Sequence, residues 1–258
     1  MNDIYLIDKA RARASFGRAA DTYDAAAILQ RRVCEDLLAA WTPDAPPDSI
    51  LDAGCGTGHG IRLLHRRWPD ARLTALDFAP AMLELARQNP ALCVAGDLEA
   101  LPCRAASFAA WISSLTIQWC DTGQVFREAW RVLRPGGYLA TSTLGPDTFR
   151  ELRAAFAGID SYRHTLAFSD PAAVEQALRN AGFTDIVLRR RSVRLHYPDL
   201  RTLLHAVKAI GANSVGDGAR AGLFGKRAWQ QVQAAYEGHR TPAGLPAHYD
   251  VIFAYARK

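Results

Sequence analysis

The sequence predicts an α/β protein with a doubly wound, mostly parallel seven-stranded sheet, an antiparallel terminal strand and helical cap insertions. Two observations lead to this fold class. Short apolar, strand-like segments alternate with amphipathic helices through the middle of the chain, which is typical of a parallel sheet covered on both faces. Near the carboxyl terminus, two segments alternate apolar and polar residues, as neighbouring strands at the end of a sheet do.

The first five strands are predicted between residues 48 and 145. Apolar residues at helical spacing separate them, and Pro80 lies in the first turn of the second helix, where proline is favoured. The "RPGG" segment is predicted to stop the third helix. In chain order the strands are "SILDAG", "RLTALDF", "ALCVAGD", "FAAWISSL" and "GGYLATSTL", and the helices between them are "GIRLLHRRW", "APAMLELARQN" and "GQVFREAWRVL".

Beyond Gly145, one well-marked helix and two more strands are predicted. The helix "SDPAAVEQALRNAGF" has Ser169 as its N-cap, Pro171 near its start and Gly182 just past its end. The segments "TDIVLRRRSVRLHY" and "YDVIFAYARK" alternate like strands, and we expect them to close the sheet as an adjacent pair.

The remaining segments do not fit the repeating strand–helix unit. They are N-terminal helices at 8–40, a stretch at 146–168, and a stretch at 198–247 that holds an apolar helix and a Gly-rich loop. Because α/β folds keep their binding sites beyond the carboxyl ends of the strands, we expect these segments to form a substrate cap. We therefore interpret residues 1–258 as a single domain whose core is 48–145.

Composition and charge exclude several classes of protein. Hydrophobic residues make up 49% of the 258 residues and charged residues 22%, an ordinary balance for a globular protein. No apolar run has the length of a membrane span or a signal-peptide core, so we expect a cytoplasmic protein that does not bind membranes. The five cysteines and seven histidines lack metal-site spacing, which predicts no metal centre. The net charge of +5 is spread along the chain, which argues against nucleic-acid binding.

The segment "ILDAGCGTGHG" predicts a site for a nucleotide-like ligand. A glycine-rich turn between a strand and a helix lets backbone N–H groups approach a ligand closely. Asp52 precedes this turn, and Asp77 and Asp97 end the next two strands, where carboxylates can bind ribose hydroxyls and an adenine amine. The segment lacks the GK[ST] of a phosphate-binding loop, and its glycines are offset from the usual dinucleotide pattern.

This D-x-G-x-G-x-G form, with the two acidic strand ends and "LRPGGYL", resembles the class I S-adenosylmethionine (SAM)-dependent methyltransferases, whose fold is Rossmann-like. The resemblance covers about 48–145 and implies SAM as the methyl donor. It implies that the glycines pass under the methionine part of SAM, above Asp52, and that Asp77 takes the ribose. The implied cofactor-binding residues are Asp52, Gly54, Cys55, Gly56, Gly58, Asp77, Phe78, Met82, Asp97, Leu98, Ser113, Leu115 and Gln118.

Segments outside the core carry a narrower resemblance. They include "RASFGRAADTYDAAAILQRRV" at the start of the chain, then "STLGPDTFRELRAAF" and "AVKAIGANS". Together with the SAM motifs, this set resembles the malonyl-[acyl-carrier protein] O-methyltransferases of biotin synthesis. The resemblance implies an enzyme that converts the free carboxylate of malonyl-acyl carrier protein to its methyl ester, an early step toward pimeloyl and biotin. It implies the acyl carrier protein as the partner.

A malonyl carboxylate is already ionised at neutral pH, so no general base is needed to activate it. Selectivity for this acceptor calls for a cation or a strong hydrogen-bond donor, and we predict that Arg150 and Tyr23 position it. Lys208 is a candidate contact to the phosphate of the carrier's phosphopantetheine. Candidate docking residues for the acidic carrier are Arg31, Arg32 and the run Arg189 to Arg191, although a solvated strand face explains that run equally well.

Three alternatives stay open at the level of the sequence. One is a SAM-dependent methyltransferase of another small carboxylic acid or acyl-CoA, such as aconitate. Another is a quinone-type C-methyltransferase, which would need a base that the sequence does not offer. The last is a regulatory or scaffold protein that binds SAM without transferring a methyl group.

Overall fold

The computed structural model describes residues 8–159, 165–210 and 225–258. The strands are β1 (Ser49–Ala53), β2 (Arg72–Asp77), β3 (Leu92–Ala95), β4 (Phe108–Ser114), β5 (Leu133–Leu144), β6 (Thr184–Tyr197) and β7 (Leu245–Arg257). They form one seven-stranded sheet in the order β3-β2-β1-β4-β5-β7-β6. Neighbouring strands from β3 to β5 are parallel, whereas β7 is antiparallel to both β5 and β6. The predicted seven-stranded, mostly parallel sheet is confirmed.

Helices cover both faces of this sheet. They are α1 (Lys9–Ala26), α2 (Ile28–Ala40), α3 (His59–Arg67), α4 (Pro80–Ala86), α5 (Thr122–Val132), α6 (Arg150–Phe156), α7 (Pro171–Ala181), α8 (Leu200–Ala209) and α9 (Lys226–Glu237). Successive strand residues point to opposite faces, so Ile50 packs in the core that α2 and α3 cover and Leu51 in the core under α5 and α7. Among the described residues, no helix combines the length and apolarity that a membrane crossing requires.

Two local predictions need correction. The N-cap of α7 is Asp170 rather than Ser169, because Pro171 takes the first helical position and the Asp170 side chain accepts a hydrogen bond from Ala172 N at 2.8 Å. The fifth strand also starts earlier than predicted: α5 ends at Val132, just before "RPGG" as predicted, but β5 already begins at Leu133 rather than at Gly136. Gly182 ends α7 with φ +100°, as predicted.

The carboxyl edge of the sheet is extended by β6 and β7. Pairing of β5 with β7 stops at Leu144↔Val251, but pairing of β6 with β7 continues to Tyr197↔Leu245. The two strands therefore project beyond the ends of the parallel strands, where α6, α8 and α9 pack against them or each other. Residues 211–224 of the predicted Gly-rich loop, which ends at Gly225, lie outside the described residues, as do 160–164 of the middle cap segment.

Candidate active site

A cavity lies at the carboxyl ends of β1 to β4, beneath α1 and the start of α2. We call it the strand-end cavity. The glycine-rich loop and the acidic strand ends form its floor. Eleven of the predicted catalytic and cofactor-binding residues line it, namely Tyr23, Asp52, Gly54, Cys55, Gly56, Asp77, Phe78, Met82, Asp97, Leu98 and Leu115.

The backbone of the glycine-rich loop runs close beneath this cavity. Gly54 N and Cys55 N both donate to Leu76 O, at 2.7 and 2.9 Å, which ties the loop to the end of β2. Gly54 has φ +79°, and a Cβ there would lie 2.4 Å from the side chain of Thr116. Any other residue at this position would therefore strain the backbone and clash, and the loop would move out of the cavity floor.

Gly58 has a different role from the other loop glycines. It has φ +87° and is the N-cap residue of α3. A Cβ there would meet Asn89 Nδ2 at 2.6 Å, and Gly58 is absent from the described lining of the cavity. The structure thus places this predicted cofactor residue in the packing between α3 and α4.

Asp77 joins the end of β2 to the loop. Its Oδ2 accepts from Gly56 N at 3.0 Å and its Oδ1 from Ala79 N at 2.9 Å. Burial raises the pKa of this carboxyl group, while hydrogen bonds from the backbone of Ala79, Gly56 and Phe78 act in the opposite direction. Each carboxylate oxygen can accept a further hydrogen bond, so the group is able to bind a pair of neighbouring hydroxyls.

Asp52 is a buried carboxyl group on the other side of the loop. Its side chain lines the cavity and accepts no hydrogen bond from the described residues. Burial, followed by the nearby charge of Asp77, raises its pKa to about 7. A cationic ligand group that pairs with Asp52 would offset the energetic cost of ionising it in this environment.

Asp97 lies at the opposite end of the cavity, with Lys9 from the first turn of α1. Lys9 Nζ is 2.6 Å from Asp97 Oδ2 and 2.7 Å from Glu99 Oε2. Burial disfavours the charge of Lys9, but the hydrogen bonds to Asp97 and Glu99 outweigh it and raise its pKa. Beside them, Leu98 is 4% exposed and contributes an apolar wall.

At the end of β4, the residue that lines the cavity differs by one position from the predicted cofactor-binding residue Ser113. Ser113 is fully buried and absent from the cavity lining, whereas Ser114 lines it. Because side chains alternate along a strand, only one of two adjacent serines can face the cavity. Gln118 donates through Nε2 to Leu115 O at 2.7 Å and lines a second cavity.

The second cavity adjoins the first one, because five residues line both. We call it the helical cavity, because α1, α2, α6 and α8 supply much of its wall. Its wall is mainly leucine, phenylalanine and other apolar side chains, with Lys208 near the end of α8. The residues common to both cavities are Phe16, Tyr23, Gln30, Leu115 and Trp119.

Tyr23 lies at this junction. Burial and the charges of Asp77 and Asp24 raise the pKa of its hydroxyl well above the ordinary value, so it stays protonated at neutral pH. The rings of Phe16 and Trp119 meet edge to face near it, with centroids 5.4 Å apart. Tyr23 can therefore donate a hydrogen bond to a ligand but cannot act as a base there.

Arg150 is not brought to either cavity in the described ranges. Its Nε lies 3.2 Å from Glu151 Oε1 and its Nη2 3.0 Å from His248 Nε2, and the side chain is 54% exposed. Phe149 and Leu152 line the helical cavity, and on a helix Arg150 points roughly 200° away from Leu152. The predicted contact of Arg150 with a substrate carboxylate is not supported by this position.

Several lining residues were missed at the level of the sequence. Lys9, Phe16 and Tyr23 all face the strand-end cavity from α1. They follow one another at intervals of seven residues, which places them on one face of the helix. Tyr23 was chosen singly, and this spacing is the signal that would have found the other two.

The fold, the loop under the cavity and the acidic strand ends define a SAM-dependent methyltransferase. The methyltransferase domain family matches residues 51–141. A solved structure of a SAM-dependent methyltransferase from Thermotoga maritima superposes with a TM-score of 0.59 at 17% identity, covering 95% of this chain and 99% of that chain. At that identity the structural likeness supports the fold, and the family match supports SAM as the methyl donor.

Sequence similarity over nearly the whole chain narrows this class. The malonyl-[acyl-carrier protein] O-methyltransferase of Dechloromonas aromatica is 52% identical over 250 residues, which is 97% of this chain and 95% of that protein. The enzyme of the same name from Laribacter hongkongensis is 43% identical over 99% of this chain and 91% of its own length. The chain belongs to the malonyl-[acyl-carrier protein] O-methyltransferase family.

Proposed function

We propose that this enzyme transfers the methyl group of SAM to the free carboxylate of a malonyl thioester carried on acyl carrier protein. A carboxylate oxygen attacks the methyl carbon, the carbon–sulfur bond breaks, and its electron pair stays on sulfur. The products are the methyl ester and S-adenosylhomocysteine (SAH). A sulfonium cation and a carboxylate anion become two neutral groups, so a cavity that excludes water favours the reaction.

The placement of SAM in the strand-end cavity is part of this proposal. Asp77 would accept hydrogen bonds from the ribose hydroxyls, and Asp97 with Leu98 would hold the adenine edge. The glycine loop and Asp52 would lie beside the methionine part, and Leu115 with Trp119 would flank the sulfonium. The support for this orientation is that Asp77 and Asp97 line the same cavity as Phe78 and Met82.

The observation that carries the choice of acceptor is the chemistry of the helical cavity. Within the described ranges, its lining contains no Asp, Glu or His side chain. An acceptor that must lose a proton would find no base there, whereas a carboxylate arrives already ionised. The absence of acidic groups also favours an anionic substrate, which Tyr23 could orient with its hydroxyl and Lys208 with its charge.

The carrier protein is the proposed partner. Lys208 lines the helical cavity, which supports a contact with the phosphopantetheine phosphate. The arginine run on β6 is less available than its sequence suggests: Arg190 pairs with Asp250 at 2.6 Å, and Arg191 with Asp36 at 2.6 Å. Arg32 on α2 is exposed and forms no ion pair with a described residue, so it remains the better docking candidate. The cytoplasmic location expected from the sequence also stays a prediction.

The deciding experiment is methyl transfer from radiolabelled SAM to four acceptors: malonyl-carrier, malonyl-CoA, free malonate and aconitate. We expect the highest kcat/KM with malonyl-carrier, and mass spectrometry should find the label as a methyl ester. Higher kcat/KM with a free acid or with malonyl-CoA would point to the alternative acceptors. Tight SAM binding without transfer to any of the four would favour a regulatory protein.

A further inference from the structure

The junction between the strand-end cavity and the helical cavity contains hydrogen-bond donors but no charge. Its described residues are Phe16, Tyr23, Gln30, Leu115 and Trp119, which line both cavities. If the methyl donor occupies one cavity and the acceptor the other, as proposed, the methyl group must cross here. Three of the five side chains end in a donor, namely the phenol O–H, the amide N–H groups and the indole N–H.

The indole N–H of Trp119 has no partner in the described part of the chain. The residue is only 7% exposed, and its ring packs edge to face against Phe16. Buried indole N–H groups usually find an acceptor. Trp41 Nε1 and Trp111 Nε1 are also unbonded among the described residues, but both atoms are sealed inside the core. Trp119 Nε1 is not sealed, so its N–H opens into the space that Trp119 lines.

The side-chain amide of Gln30 is likewise uncommitted. Gln30 lies in the first turn of α2, is half-buried and forms no hydrogen bond through its side chain with a described residue. Gln118, the other amide of the helical cavity, is engaged: its Nε2 donates to Leu115 O at 2.7 Å, and its Oε1 accepts from Thr143 Oγ1 at 3.5 Å. Among the described lining residues, Gln30 therefore supplies the free amide donors.

Neutral donors suit a carboxylate that has to act as a nucleophile. A guanidinium or ammonium at the junction would neutralise the attacking oxygen and would repel the positively charged sulfonium. N–H and O–H groups still form charge-assisted hydrogen bonds with a carboxylate, which fix its direction. An apolar junction without donors would instead leave the carboxylate unpaired, at a high cost in free energy.

We propose that Gln30 and Trp119 bind the acceptor carboxylate at the junction, together with Tyr23, and that they select it without a cation. This inference rests on the proposed function. It assigns to residues of α2 and of the segment after β4 the positioning role that Arg150, which lines neither cavity among the described residues, does not fill.

The test compares two acceptors that differ in the terminal carboxylate, malonyl-carrier and acetyl-carrier. Both are titrated by calorimetry into the enzyme saturated with SAH, in which no transfer occurs. Gln30→Leu and Trp119→Phe should each weaken binding of malonyl-carrier by roughly 10- to 100-fold, the loss expected for a hydrogen bond to a charged group. Binding of acetyl-carrier and of SAM should stay within about twofold of the wild type. The kcat/KM for malonyl-carrier should fall with its affinity.

Two further variants separate carboxylate binding from packing. Glutamate has the shape of glutamine but brings a negative charge, so Gln30→Glu should bind malonyl-carrier more weakly than Gln30→Leu does. A packing role would make glutamate the better tolerated of the two. Trp41→Phe is the matched control for Trp119→Phe, because Trp41 Nε1 is also unbonded and Trp41 is absent from the described lining of both cavities. It should keep kcat/KM within twofold.

If Trp119→Phe does not fold, the Gln30 variants carry the test. The inference is overturned if both Gln30 variants bind and methylate malonyl-carrier within twofold of the wild type. It is also overturned if they lose acetyl-carrier and SAM by the same factor as malonyl-carrier. Both outcomes leave transfer by the wild type intact, so the proposed function would stand. A wild type that transfers no methyl group to malonyl-carrier would overturn the proposed function and this inference with it.

Discussion

The strand-end cavity and the helical cavity share a wall at Tyr23, yet they are built in different ways. The first is made by the loop after β1 and by the ends of β2, β3 and β4, and it holds several carboxyl groups. The second is made by side chains from both ends of the chain, from Phe16 to Tyr249, and its described lining has no acidic group. A cavity of polar strand ends suits a ligand with many hydrogen-bonding groups, and an apolar one suits an acyl thioester arm.

This difference also explains how each cavity can be recognised. The polar residues of the strand-end cavity come directly after parallel strands, whose carboxyl ends lie at one edge of the sheet. Their positions along the chain therefore predict that they lie close together in the structure. The helical cavity joins residues that are far apart in sequence, and its apolar side chains resemble ordinary core residues. If the strand-end cavity binds SAM and the helical cavity binds the acceptor, as proposed, substitutions in the two cavities should affect different binding and kinetic constants.

The largest effect is expected for Asp77→Ala. It removes both the acceptor for the ribose hydroxyls and the carboxylate that holds Gly56 N, so SAM affinity should fall by at least about 100-fold. Calorimetry with SAM measures this loss, and the KM for the acceptor at saturating SAM should change little. The SAM affinity of Asp77→Asn, which keeps one acceptor oxygen, should lie between that of Asp77→Ala and that of the wild type. A rise in acceptor KM with unchanged SAM affinity would reverse the roles of the two cavities.

A smaller effect is expected from pH. Because the pKa of Asp52 is raised to about 7, this group is largely protonated in the free enzyme at pH 5.5. Pairing with the ammonium of SAM requires the ionised form, so binding at low pH must release a proton. SAM affinity should therefore rise with pH by nearly tenfold per unit below about pH 6 and level off only above about pH 8.

The control for this pH effect is Asp52→Asn, which has no titrating group at that position. Its SAM affinity should be nearly constant between pH 5.5 and pH 7. SAM affinity is measured by calorimetry in buffers of different ionisation enthalpy. The change of the binding enthalpy with the buffer gives the number of protons released. A flat profile in the wild type would contradict the predicted pairing.

Tyr23→Phe should have a moderate effect that is confined to the reaction step. The ring still fills the junction between the cavities, but the hydroxyl that orients the acceptor is lost, so kcat should fall by about tenfold while SAM affinity stays within twofold. Tyr249→Phe is the matched control, since Tyr249 lines the helical cavity but its hydroxyl already interacts with Tyr197. Equal losses in both variants would assign Tyr23 to packing.

The smallest effect is expected for Arg150→Ala. The side chain is more than half exposed, and His248 Nε2 keeps Arg194 Nε as a donor at 2.8 Å. Turnover of the malonyl substrate should stay within about threefold of the wild type, and the free energy of unfolding, measured in urea, should fall by less than about 1 kcal/mol. A tenfold loss of turnover with SAM binding intact would restore the carboxylate-binding role predicted from the sequence.

Three predicted site residues that do not line the strand-end cavity have a common physical explanation. Ser113 was chosen from a segment, and the pleat of β4 decides that Ser114 is the one that faces the cavity. Gly58 has a positive φ like Gly54 and Gly56, but a Cβ on it would meet Asn89, and it does not line the strand-end cavity as described. Arg150 follows the correct strand, and the rotation of α6 turns it toward His248. In each case the local sequence pattern identified the correct segment of the chain, but it did not determine which residue of that segment faces the cavity.

The sequence by itself determined the α/β fold, the strand ends that carry Asp77 and Asp97, and the loop glycines, because strand–helix alternation and turn geometry are local properties. The resemblance of the flanking segments, read from sequence alone, also led to the family. Only the tertiary structure decided which residues of α1 and α2 cover the site, and that Arg31 lines the strand-end cavity while Arg150 lines neither cavity among the described residues. Those contacts join residues that are distant along the chain, and packing of the helices against the sheet fixes them.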